Sequence, residues 1–172
     1  DRPSDAHSEN EHSYASAMMY DDGQQKFLLS HGADFVVAHD LTDGHELWRC
    51  GDLNKKSNYD PTLRFVASPA AGKGIIVVPS AKRGPVVALK PGGHGDITNT
   101  DELHLWTSNR TPDVPSPLIL GDLVYLCMEN GDLTPAGQYR RKESDTQSPR
   151  YWEYELLFTR TKKPRPVFSE MP

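Results

Sequence analysis

Residues 38–48 read Ala38-His39-Asp40-Leu41-Thr42-Asp43-Gly44-His45-Glu46-Leu47-Trp48, and this stretch decides the fold. Asp40 and Asp43 carry short side-chain oxygens that can cap backbone N–H groups within a turn, and Gly44 can supply the positive φ that a tight hairpin needs. Apolar runs flank the turn, Phe35-Val36-Val37-Ala38 before it and Glu46-Leu47-Trp48-Arg49 after it. The spacing predicts two short antiparallel strands joined by a polar turn. Helical periodicity fails along the chain, where short apolar runs stop repeatedly at Gly, Pro or Asp.

Working outward, the same grammar recurs. Tyr14-Ala15-Ser16-Ala17-Met18-Met19-Tyr20 leads through Asp22-Gly23 to Phe27-Leu28-Leu29. Val66-Ala67-Ser68-Pro69-Ala70-Ala71 leads through Lys73-Gly74 to Ile75-Ile76-Val77-Val78. Val114-Pro115-Ser116-Pro117-Leu118-Ile119-Leu120 leads through Gly121-Asp122 to Leu123-Val124-Tyr125-Leu126. Ser16, Ser68 and Ser116 therefore recur at 52 and 48 residues, the length of one four-stranded propeller blade with a modest insertion. The second unit adds Val86-Val87-Ala88-Leu89 and a strand ending in a second tryptophan, Leu103-His104-Leu105-Trp106. Residues 51–63 and 91–102 are rich in Asn, Asp, Gly and Lys and read as loops.

Residues 38–48 resemble the tryptophan-docking motif of pyrroloquinoline-quinone-type (PQQ-type) β-propeller repeats, in the quinoprotein alcohol dehydrogenase-like superfamily. Ala38, Asp40, Gly44 and Trp48 match that motif, and Asp43 stands where the family usually has Thr. The resemblance implies that Ala38 is small because a neighbouring blade packs close to it, and that Trp48 docks its ring between blades. Unit two keeps Ala88 and Trp106, but Lys90 to Glu102 intervene, so its docking turn must differ. The phrases Ala67-Ser68-Pro69 and Pro115-Ser116-Pro117 also resemble the family's blade openings. WD and kelch repeats fit less well, because no Gly-His and Trp-Asp pair or paired-Gly pattern recurs.

The resemblance covers residues 13–133 and implies an all-β chain, a β-propeller fragment of about two and a half four-stranded antiparallel blades. The expected organisation is a polar lead-in at 1–12, blades near 13–50, 64–107 and 114–133, and a non-repeat, poorly ordered tail at 134–172. Three blades do not close a ring, so the remaining blades of a longer chain are expected. After Leu133 the repeat stops: Thr134-Pro135-Ala136-Gly137, dense charge and a Lys-Pro-Arg-Pro run follow. Either a genuine extension begins here or the reading frame shifts. From the second base of the Ala136 codon through Lys142, codon choices exist that give Leu-Asp-Ser-Ile-Asp-Gly-Lys. That phrase parallels residues 39–45 and falls where the third unit lacks its turn; the DNA sequence decides between the two.

Composition excludes several function classes. Net charge is −5 with pI near 5.8, so no general basic field favours nucleic acid. The basic clusters Lys82-Arg83, Arg140-Arg141-Lys142 and Lys162-Lys163 are short and read as solvated surface. No stretch nears the ~18 apolar residues that span a bilayer as a helix; the sequence opens Asp1-Arg2-Pro3 with no signal peptide visible, as expected of a mature or truncated product. Cys50 and Cys127 are the two cysteines; far apart, they form no zinc or redox motif.

His39 and His45 flank one turn with no third metal ligand placed by spacing, and His7 and His12 sit in an acidic lead-in. Ala71-Gly72-Lys73-Gly74 lacks the phosphate-loop frame. Asn109-Arg110-Thr111 fits the N-glycosylation sequon. Lys82 and Arg83 lie in a turn and could present cations to a ligand at one propeller mouth. Ser16, Ser68 and Ser116 recur with the repeat and lack a nucleophile-elbow context, so they read as structural. Catalytic and metal residues are assigned as none, and cofactor-binding residues stay unassigned.

The expected function is a non-catalytic repeat scaffold that binds a protein or cell-envelope component, bacterial and extracytoplasmic (periplasmic) by resemblance, with no cofactor. The alternative is a fragment of a quinoprotein dehydrogenase using PQQ and calcium. That family is known for adjacent cysteines near the cofactor, which this sequence lacks, and no Asp, Glu or Asn here matches its calcium motif.

Overall fold

The computed structural model describes residues 12–138 apart from Ala33, residues 55–59, Pro61, Leu63, Lys73, Lys82 and Arg83. Turn residues cut this segment into short strands, each paired with its sequence neighbour. In the first sheet, β1 (Met18–Asp21), β2 (Lys26–Gly32), β3 (Phe35–His39) and β4 (Glu46–Cys50) run antiparallel in chain order. The second sheet repeats the pattern with β5 (Ala70–Gly72), β6 (Ile75–Pro79), β7 (Val86–Leu89) and, as its fourth strand, β9 (His104–Ser108). The third sheet comprises β10 (Leu118–Leu120), β11 (Leu123–Cys127) and β12 (Leu133–Gln138). The chain is all-β: helical structure among the described residues is one 3₁₀ turn at Asp101–Leu103. No described helix is long and apolar enough to cross a membrane.

The three sheets stack face to face in chain order, and strand alternation decides which side chains meet. Between the first and second sheets lie Tyr20, Phe27, Leu29, Val36, Ala38 and Trp48, packed with Ile76, Val78, Val87 and Leu89. Between the second and third lie Ile75, Val77, Val86, Ala88 and Trp106, packed with Val124, Leu126 and Ala136. The second sheet is therefore buried on both faces. This is why β6 and β7 read as unbroken apolar runs while β2 alternates buried and exposed positions.

Three sequence expectations need correction. Residues 91–102 are more than a loop: β8 (Gly95–Asp96) crosses to the first sheet and pairs parallel with β4, Trp48 opposite Gly95 and Arg49 opposite Asp96. The outer edge of β4 has backbone groups that need partners, and β8 supplies them, with Ile97 N–H donating to the Arg49 carbonyl at 2.8 Å. The first sheet has five strands, not the four of the expected blade. The expected boundary at 133/134 also moves: Thr134 and Ala136 belong to β12, pairing with β11 across a register shift at Val124/Tyr125, and Ala136 is buried. Pro135 is tolerated because β12 is an edge strand among the described residues, where a missing N–H breaks no ladder on the outer side. The remainder of the expected lead-in and tail, residues 1–11 and 139–172, lies outside the described residues.

Candidate functional site

The turn between β3 and β4 is built as its residue types require. The Asp40 carboxylate accepts from the Thr42 N–H at 2.7 Å, and the Asp43 carboxylate accepts from the His45 N–H at 3.0 Å. Gly44 adopts a φ of 77°, a conformation L side chains rarely hold, and its N–H donates to the Asp40 carbonyl at 3.0 Å. His45 Nδ1 lies 2.6 Å from the Asp43 carboxylate. These bonds hold the Asp40 and Asp43 carboxyls below their ordinary values, mainly through the backbone N–H groups of Thr42 and His45 respectively. The Asp43 hydrogen bond raises the His45 imidazole. The ligand-type atoms of Asp40, Asp43 and His45 lie within 4.8 Å of one another, and the turn's own hydrogen bonds account for their presence.

The two alanine–tryptophan pairs occupy the same place in successive sheets. Ala38 lies opposite Trp48, with a register shift between Ala38 and His39. Ala88 lies opposite Trp106, with a register shift between Ala88 and Leu89. Trp48 is 1 % exposed and Trp106 7 %. The long excursion of residues 90–103 closes on itself through Lys90 N–H to the Leu103 carbonyl at 2.8 Å, so it leaves the register unchanged. Trp48 meets the edge of Phe27, which stacks on Tyr20. The Tyr20 hydroxyl in turn accepts from the Gly74 N–H of the next sheet at 3.1 Å.

The repeating serines form a ladder across the stack. Ser16 N–H donates to the Ser68 hydroxyl at 2.8 Å, and Ser68 N–H donates to the Ser116 hydroxyl at 3.0 Å. The sequence carried the signal, a serine at each opening, while the pairing of one repeat's backbone with the next repeat's side chain was legible only in three dimensions.

Beside the β3–β4 turn, Glu46 holds Arg49 by two bonds of 2.5 and 2.7 Å, and the Arg49 guanidinium lies 5.5 Å from the centre of the Phe35 ring. This charge is spoken for within its own sheet. Lys82 and Arg83, the candidate ligand contacts, lie outside the described residues. In the sequon, Asn109 is exposed, but Thr111 is buried and its hydroxyl donates to the Gly84 carbonyl.

Nucleophile chemistry finds little support at the one buried thiol. Cys50 Sγ lies 3.9 Å from His104 Nε2, but burial, with Asp96 and Asp52 nearby, pushes the thiol up to about 12. A thiol held protonated at neutral pH is a packing group. Compared with models of known protein families and with curated proteins, the chain finds no match in either.

Proposed function

We propose that this chain is a non-catalytic repeat scaffold of the β-propeller type, similar to PQQ-type repeats, which binds a protein or cell-envelope component outside the cytoplasm. One observation carries the reading: two successive sheets hold the same alanine–tryptophan register with the same bulge, and each stacks in chain order on the next. Repeat units that bury a tryptophan against the next unit build a rigid frame whose turns remain available for contact. The aspartates, the glycine and the tryptophans are then frame-building residues. The inert Cys50 thiol and the self-satisfied Glu46–Arg49 pair add support.

Titration of the full-length protein with PQQ and Ca²⁺, followed by absorbance and calorimetry, tests this. The expected result is no saturable binding and no dye-linked alcohol oxidation. Tight binding with turnover overturns the scaffold reading in favour of a dehydrogenase fragment.

A further inference from the structure

The excursion between β7 and β9 leaves the second sheet and returns to it at one place. Lys90 N–H donates to the Leu103 carbonyl at 2.8 Å, and beyond that closure Ala88 faces Trp106 and Val86 faces Ser108. The pairing of β7 with β9 is therefore complete without residues 91–102. Inside the excursion the chain satisfies itself. Thr98 N–H donates to the Asp96 carboxylate at 2.9 Å, Thr100 N–H to the Ile97 carbonyl at 3.1 Å and Leu103 N–H to the Thr100 carbonyl at 2.9 Å. Gly93 holds a φ of 104°, and a Cβ there would lie 2.9 Å from Ile97 Cγ2 and 2.8 Å from Leu103 Cδ1. Glycine lets those two side chains close over the backbone, so the excursion keeps a small apolar centre of its own.

Its hold on the first sheet is narrow. β8 is two residues long, and both are exposed. Ile97 N–H donates to the Arg49 carbonyl at 2.8 Å, and the Thr98 hydroxyl accepts from the Gly51 N–H at 2.7 Å. Of residues 90–103, Ile97 alone is buried, at 2 % exposure in the core between the first two sheets. At the root, His104 Nε2 lies 3.3 Å from the Ile97 carbonyl oxygen. A segment that buries little apolar surface and shares few backbone bonds with its neighbour opens at a lower free energy than the core.

We propose that residues 90–103 form a strap that undocks from β4 as a unit while both sheets stay folded. Undocking withdraws Ile97 from the core and releases the Gly51 N–H and the Arg49 carbonyl to water. It turns β4 from a covered strand into an open edge, the kind of edge that pairs with an extended segment. The closure between Lys90 and Leu103 keeps the root in place, so β7 and β9 stay in register throughout. The device belongs to the excursion alone and does not depend on what the scaffold binds.

Native-state hydrogen exchange on the full 172-residue chain, followed amide by amide by NMR in low urea, tests it. The Gly51 and Ile97 amides lie on opposite sides of the strap contact, so one opening event releases both. Corrected for intrinsic rates, they are expected to exchange alike, at least about tenfold faster than the slowest amides of β6 and β7 and with a smaller urea dependence. Val124→Ala weakens the second interface, which the strap does not enter. It should accelerate the β6 and β7 amides and leave Gly51 and Ile97 within about twofold of wild type. Ile97→Ala should instead accelerate Gly51 at least about tenfold. Strap amides that share the urea dependence of the core, or that accelerate with it in Val124→Ala, overturn the proposal, because the excursion then opens only with the whole fold. Different rates at Gly51 and Ile97 overturn it as well, as does a Gly51 amide unmoved by Ile97→Ala. The wild-type urea series decides the matter even where a variant fails to fold. None of these outcomes bears on the PQQ titration, so the two readings fail separately.

Discussion

Ala88 lies directly opposite Trp106 across β7 and β9, although the whole β8 excursion separates them in the chain. The pairing equals that of Ala38 and Trp48, which a six-residue turn (40–45) joins. A register shared by a short turn and a long excursion is set by what the pair packs against. A large ring needs a small neighbour beside it and an apolar sheet over it, and both sheets supply these.

Truncating Trp48 measures that packing. Trp48→Ala is expected to destabilise by about 3–5 kcal/mol in urea melts, as for other buried large rings. Trp48 Nε1 is buried without a hydrogen-bond partner among the described residues. Trp48→Phe should therefore cost less than about 1.5 kcal/mol, because losing an unpaired buried donor offsets part of the lost volume. Equal losses for both variants would show that the indole N–H is paired in solution.

The ladder predicts an asymmetry between two serines. Ser68→Ala removes the acceptor of the Ser16 N–H and should cost about 0.5–1.5 kcal/mol, with faster hydrogen exchange at the Ser16 amide. Ser16→Ala should stay within about 0.5 kcal/mol of wild type, because Ser16 is exposed and its hydroxyl holds no rung among the described residues. Unchanged exchange at Ser16 in the Ser68→Ala variant would remove the ladder from the account.

Thiol chemistry should separate the two cysteines. With its thiol pushed up to about 12 by burial, Cys50 is expected to resist iodoacetamide at pH near 8 in the native protein and to react after denaturation. Cys127 is only half-buried and should label first. Peptide mass spectrometry reads both sites, and native labelling of Cys50 would contradict its placement in the core.

The β3–β4 turn gives a pH prediction with a definite sign. The His45 pKa is raised by Asp43, so its contribution to stability is complete below the unfolded imidazole value and disappears as pH rises through the folded one. The Asp43 pKa is lowered, first by the His45 N–H, so its contribution is complete above the unfolded carboxyl value and is lost as pH falls through the folded one. The pair therefore acts fully between the ordinary carboxyl and imidazole ranges. Asp43→Asn should bring the His45 titration midpoint, followed by proton NMR of the ring, back down towards the ordinary imidazole value. A midpoint that does not move would mean that Asp43 and His45 are apart in solution.

How much of this was legible in the sequence follows from how far each determinant acts. The composition of residues 40–45 fixed a tight turn, because the Asp caps and the positive φ of Gly44 act within a few residues. The period of Ser16, Ser68 and Ser116 marked the units, and the apolar runs at 75–79 and 86–89 marked strands buried on two faces. Those features determine an all-β chain of repeated short strands by themselves. Only the tertiary structure decided that β8 crosses to pair with β4, that β12 continues through Pro135, and that each serine N–H finds the next unit's hydroxyl. Each of these depends on which backbone edge comes alongside which, and a sheet edge is satisfied by any extended segment that reaches it. Local turn chemistry carries no information about that choice; the stacking of apolar faces makes it.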